Sequence, residues 1–255
     1  MPRYVFVILL FALTGICRAQ PSSSPPAGTA AFLFTYHPRP GMQAQFDEGY
    51  RRHLRWHEEK KDPLVWYGWY VTSGERTGMF IDGSFGASFA AFDRRIEPKA
   101  DAADFAQTSA PFAETALRST YRLRPDLSTG QPLEERQPSP QVEVVHYVLR
   151  SGMERAFEEV IGKLRAALGK TRGVPVHTWY ELVVGGESPG YMLMVPRQGW
   201  GDYEAAPATL GAILERAYGA EQARALRQSL AAAVDHTRSE LWSYRQDLSY
   251  FPAHP

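Results

Sequence analysis

Two histidines four residues apart are the groups in this 255-residue chain whose type and spacing could do chemistry. His53 and His57 lie in the run Met42 to Lys60. There Met42, Phe46, Tyr50, His53 and His57 recur at helical spacing, with Asp47, Glu48, Arg51, Arg52, Arg55, Glu58 and Glu59 on the other side. Two imidazoles at i and i+4 on an apolar face have three possible uses. They can be structural groups satisfied by backbone or tyrosine hydroxyls. They can line a pocket for an organic ligand as hydrogen-bonding or acid–base groups. They can chelate a cation, although Glu58 and Glu59 point away, so a third ligand would have to come from a strand.

The adopted reading takes His53 and His57 as catalytic candidates and Phe46, Tyr50, Trp66, Tyr70 and Trp69 as ligand contacts. It assigns no metal site and no cofactor. Trp66, Gly68 and Tyr70 share one face of a strand, and Val65, Tyr67 and Trp69 share the other. Gly68 among aromatics marks a bulge or the close approach of another group. His177, Trp179 and Glu181 share a face further along the chain. No HExxH, CxxC or Walker loop occurs. Cys17 is the single cysteine, so thiol chemistry is excluded once a leader is removed. The formal net charge is zero and no basic run stands out, which argues against a nucleic-acid partner.

The elements that must position these groups are written twice. Phe34 to Gly78 reads FTYHPRPGMQAQFDEGYRRHLRWHEEKKDPLVWYGWYVTSGERTG. Val145 to Gly190 repeats it as VHYVLRSGMERAFEEVIGKLRAALGKTRGVPVHTWYELVVGGESPG, ungapped from Tyr36 to Gly74 at an offset of 111 residues. Tyr36 thus matches Tyr147, Gly41-Met42 matches Gly152-Met153, Phe46 matches Phe157 and Gly74 matches Gly185. His53 matches Leu164 and His57 matches Leu168, so the first copy carries imidazoles where the second carries leucines. Strand, helix, hairpin, helix and strand patterns follow in the order βαββαβ in both copies. The ends echo too, Tyr121-Arg122 then Asp126-Leu127-Ser128 against Tyr244-Arg245 then Asp247-Leu248-Ser249.

The expected organisation is a signal peptide over 1–19, a disordered Ser/Pro tether over 20–30, a first ferredoxin-like unit over 31–128, a linker over 129–140 and a second unit over 141–255. The leader has a basic start at Arg3, an apolar run Tyr4 to Ile16 too short to span a bilayer, and small residues at Cys17 and Ala19 before Gln20. Export to the periplasm or outside the cell is the expected location, with no membrane span.

A ferredoxin-like sheet carries helices on one face and must cover the other, and a tandem repeat supplies two such sheets from one chain. On the repeat, the element order and the Gly-Met helix starts, the chain resembles the dimeric α+β barrel superfamily, with its antibiotic-biosynthesis-monooxygenase, NIPSNAP and EthD-like families, as a fused pair. The resemblance implies an α+β fold in which two βαββαβ repeats form one intramolecular barrel, and a pocket between helices and sheet. It implies a monomer with a pseudo-twofold, or a weak homodimer. It covers both units and carries no catalytic signature. The leading functional reading is a small apolar or aromatic ligand bound in the helix–sheet pocket of the first unit. The alternatives are a cofactor-independent monooxygenase or isomerase with a histidine base, and a non-catalytic envelope protein.

Overall fold

The computed structural model describes residues 28–133, 138–170, 176–204 and 209–252. The expected signal peptide and most of the expected tether lie outside them. The first unit runs β1 (Ala30–Pro38), α1 (Gln43–Glu59), β2 (Tyr67–Ser73), β3 (Phe80–Ala87), α2 (Phe89–Asp93), α3 (Pro98–Thr108) and β4 (Ala113–Leu123). The second runs β5 (Gln141–Leu149), α4 (Glu154–Leu168), β6 (Thr178–Val184), β7 (Gly190–Arg197), α5 (Leu210–Tyr218), α6 (Ala220–Ala233) and β8 (Val234–Tyr244). Gly41 and Gly152 take the same left-handed turn into α1 and α4, at φ 76° and 80°. No helix of the described residues is long and apolar enough to cross a membrane.

All eight strands close into one antiparallel barrel in the order β1-β3-β2-β8-β5-β7-β6-β4. Each unit contributes a four-stranded sheet, and the two sheets join at β2·β8 and β4·β6. Val71 lies opposite Trp242 at one seam, and Leu123 opposite Tyr180 at the other. Closure leaves no unpaired edge, which is why a single chain can carry both sheets without inviting a further strand. The period-2 alternation of the strands divides the core. Tyr67, Trp69, Phe85, Tyr180, Met192 and Trp242 fill the barrel, while Tyr36, Phe46, Tyr50, Trp66 and Phe80 pack between α1 and the outer face. The expected 129–140 linker is more than a connection: Leu133 is fully buried in the barrel cluster.

The chain ends explain the echo between the units, because each unit's tail docks on the other. After β4, Arg124 N–H donates to Trp179 O at 2.8 Å, and Trp179 N–H donates to Ser128 Oγ at 2.9 Å. After β8, Arg245 N–H donates to Gly68 O at 2.9 Å, and Gly68 N–H donates to Ser249 Oγ at 2.9 Å. Leu127 thereby enters the second unit's helix–sheet core and Leu248 the first unit's.

Of the two uses open to Gly68, close approach is the one found. A Cβ there would stand 2.2 Å from the Leu248 carbonyl oxygen and 3.0 Å from the Phe80 ring. Gly68→Ala is therefore expected to push the tail off β2 and cost about 1–3 kcal/mol, read as a lower midpoint in urea unfolding.

Candidate functional site

α1 lays Phe46, Tyr50, His53 and His57 against the outer face of the first sheet, and both histidines are buried, with 5% and 4% of their surface exposed. The turn that ends α1 brings back Asp62. His57 Nδ1 lies 2.7 Å from Asp62 Oδ2, which also accepts the Trp66 indole N–H at 2.9 Å, while Asp62 Oδ1 accepts the Leu64 N–H at 2.9 Å. Burial alone would raise the Asp62 pKa. The hydrogen bonds from His57, Trp66 and Leu64 outweigh it and hold the carboxyl below its ordinary value.

α3 packs beside α1 and supplies two more carboxylates. His53 Nδ1 lies 2.8 Å from Asp104 Oδ1. The Nε2 atoms of the two rings lie 3.3 Å apart, and Asp101 Oδ1 sits 3.3 Å from that of His53 and 3.7 Å from that of His57. Arg95 NH1 approaches the other Asp101 oxygen at 3.7 Å. Burial works to lower the His53 pKa, but hydrogen bonds to Asp101 and Asp104 overcome it and hold the ring above its ordinary value. His53, His57 and Asp101 together could hold a metal ion, each offering one ligand atom. The third such atom comes from a helix, not from a strand as the sequence suggested.

From the sheet, β3 contributes the buried Asp82, which the Tyr50 hydroxyl reaches. Burial pushes its carboxyl up to about 7, against a hydrogen bond from the Tyr50 hydroxyl and the charge of His53, which pull it down. Its Oδ1 is buried with no hydrogen-bond partner, and so is the Ser84 hydroxyl two residues on. Such orphaned atoms are costly and rare in packed interiors.

The expected contact residues divide. Tyr50 and Trp66 belong to the site through Asp82 and Asp62. Phe46 is fully buried packing between Tyr36, Tyr50 and Phe80. Tyr70 shares the site's sheet face, but its hydroxyl donates to Asp47 at 2.6 Å, away from the histidines. Asp47, expected on the solvent side of α1, is accordingly buried. Trp69 lies on the opposite face of β2, inside the barrel against Trp242 and Phe85, and cannot line the same pocket. His177, in the second unit, hydrogen-bonds Thr129 instead of joining a site.

Sequence reasoning missed Asp62, Asp82, Asp101 and Asp104. One signal was within reach. The strand registers Gly68↔Asp82 and Trp179↔Leu193 keep the 111-residue offset, so Asp82 occupies the place of Leu193. Tyr50, His53, His57 and Asp82 thus replace Ile161, Leu164, Leu168 and Leu193 of the sister unit.

Neither a protein-family model nor a curated protein matches the chain. Solved structures do. A candidate monooxygenase from Lactobacillus acidophilus NCFM superposes with a TM-score of 0.53 at 10% identity, covering 87% of this chain and 95% of its own. An anthrone oxidase-like protein gives 0.52 at 11% identity, covering 87% and 93%. A mutant chlorite dismutase from Candidatus Nitrospira defluvii in complex with cyanide gives 0.51 at 7%, covering 88% and 93%. The fold is that of the dimeric α+β barrel. At these identities the likeness speaks for the fold alone.

Asp82 gives a pH test. Its folded pKa stands above the unfolded 3.8, so its contribution is fully present below that value and is lost as pH rises toward about 7. Asp82→Asn stays neutral throughout. In urea unfolding with chelator present, the variant is expected to gain a few kcal/mol relative to the parent between pH 4 and pH 8.

Proposed function

We propose that the chain is an enzyme acting on a small, mostly apolar molecule in the helix–sheet cleft of the first unit. Its chemistry is centred where His53, His57 and Asp101 converge above Asp82. The observation that carries this reading is the asymmetry between the units. The same architecture is built with isoleucine and leucines at the matching positions of the second unit, so the fold does not require the polar set. Burying four titratable side chains where aliphatic ones suffice costs stability, and such clusters concentrate at functional sites. Aromatic residues at the cleft, Phe105 against His53 and Phe92 against Trp66, favour an apolar ligand body. The two Nε2 atoms and Asp101 favour an oxygen function on its reacting end. Of a monooxygenase- or isomerase-type reaction, the oxidative form agrees with the names of two structural neighbours, a monooxygenase and an anthrone oxidase-like protein. Kinship with the antibiotic-biosynthesis-monooxygenase, NIPSNAP or EthD-like families belongs to the same reading, supported by the repeat and the element order.

Ligand screening by NMR tests the placement, because the chain carries its own controls. His146 lines a cavity of about 90 Å³ at the barrel mouth, and His177 lies in the second unit. A panel of oxygenated aromatics is expected to contain a compound that shifts the His53 and His57 ring signals and leaves those of His146 and His177 in place. Binding that moves only His146 or His177 would refute the assignment.

The leader-like composition of residues 1–19 supports export of this enzyme. Intact mass of protein recovered from outside the cytoplasm is expected to begin at Gln20 without lipid, and a lipidated Cys17 would contradict it.

A further inference from the structure

The atoms converging between α1 and α3 are all of one kind. His53 Nδ1 faces Asp104 at 2.8 Å, and His57 Nδ1 faces Asp62 at 2.7 Å. A ring nitrogen that close to a carboxylate carries the proton, since two lone pairs would repel. In each neutral imidazole Nε2 is then a bare lone pair. Those two lone pairs stand 3.3 Å apart, with Asp101 Oδ1 at 3.3 and 3.7 Å from them. Three such atoms facing one point in a buried cluster call for a positive centre between them, either a second ring proton on His53 or a cation.

We propose that this centre is a divalent transition-metal ion of the zinc class, held by His53 Nε2, His57 Nε2 and Asp101 Oδ1, with at least one coordination position open to the cleft. The inference rests on the reading of this cleft as the functional site, and it makes the histidines ligands instead of bases. Distance supports it. Bonds of about 2.0–2.1 Å to a tetrahedral ion place ligand atoms about 3.3–3.4 Å apart. The donor set supports it as well, because magnesium and calcium select oxygen ligands whereas imidazole suits zinc and its first-row neighbours. The outer partners are those a metal site needs: each ring's remaining nitrogen bonds a carboxylate, which fixes the tautomer and raises ligand basicity. Asp62 is itself pinned by Trp66 and Leu64, so the support is built and does not depend on a mobile surface group.

Asp82 of β3 is buried in the same unit, and its Oδ1 has no hydrogen-bond partner. The chemistry such an ion supplies is Lewis-acid polarisation of a bound oxygen. Leu164 and Leu168 stand at the matching positions of the second unit, which lacks this ligand set there.

The test uses full-length mature protein stripped with a chelator and titrated with cobalt(II), zinc(II), magnesium and calcium. One cobalt per chain is expected, with the strong visible absorption of a four- or five-coordinate centre, displacement by one equivalent of zinc, and proton release on binding. Asp104→Asn keeps all three ligands and is expected to weaken zinc binding 10–100-fold, the loss typical of an outer partner. Asp101→Asn should weaken it further. Folding of each variant is checked by its circular dichroism. Cobalt that binds with only weak octahedral absorption, binding of magnesium or calcium equal to that of zinc, or an Asp104→Asn affinity equal to the parent's would each overturn the proposal. If no metal binds while an organic ligand still shifts the His53 and His57 signals, the metal is refuted and the cleft assignment stands. If neither binds there, both fall.

Discussion

Closure of the barrel through exchanged tails is the constraint on which the rest of this structure depends. Neither four-stranded sheet can stand alone, because its inner face is a layer of Trp69, Phe85, Trp242 and similar side chains that only the other sheet can cover. The seams β2·β8 and β4·β6 are therefore obligatory, and the segments after β4 and β8 extend them. Each segment crosses to the opposite unit and binds backbone to backbone there. Leu248 and Tyr250 thus end up in the first unit's outer layer, where the Tyr250 hydroxyl donates to the Asp62 carbonyl at 2.9 Å. The loop that positions Asp62 under His57 is braced by residues from the far end of the chain.

That bracing matters because the buried polar cluster is expensive to maintain. Four carboxylates and two imidazoles are gathered at the α1–α3–sheet junction, with Arg95 as the basic group paired to Asp101. The cost is met by order: Asp62 accepts three hydrogen bonds, and Asp104 is tied to His53 with its backbone carbonyl holding Thr108 Oγ1 at 2.8 Å. Buried polar networks of this kind stay rigid when fully satisfied and are weak points when one member is missing. Asp82 is the member left incomplete, and the charge of His53 acts on it.

The second unit shows what the same scaffold does without the buried histidine–carboxylate cluster. Phe157, Ile161, Trp179 and Tyr191 close its helix–sheet layer with aliphatic and aromatic contacts, and its second helical region is rebuilt as α5 and α6, which bury Ile213, Leu214 and Leu226. One of its polar clusters is Arg124 with Glu158 and Asp126. Arg245 with Asp47 and Asp247 matches that cluster across the pseudo-twofold. Those ion pairs recur in both halves and serve the tail docking. Comparing the halves separates what the architecture needs from what only the first unit carries.

The single barrel was implied by a resemblance; by itself the sequence determined the repeat, the βαββαβ order and the presence of two imidazoles on a face that accepts leucine. These are local facts: periodicity of 2 or 3.6 residues and a constant offset, each readable within one stretch. Only the tertiary structure decided what the imidazoles meet. Asp62 arrives through a turn, Asp82 from a strand two hydrogen-bonded partners away, and Asp101 and Asp104 from a helix about forty-five residues downstream of the ring pair. No spacing rule links them. They are neighbours because α3 packs on α1 and because β3 lies under both. Trp69 failed as a ligand contact for the complementary reason. Its neighbours in sequence share its chemistry, but strand alternation sends it into the barrel, and a side chain's face is settled by which layer covers it.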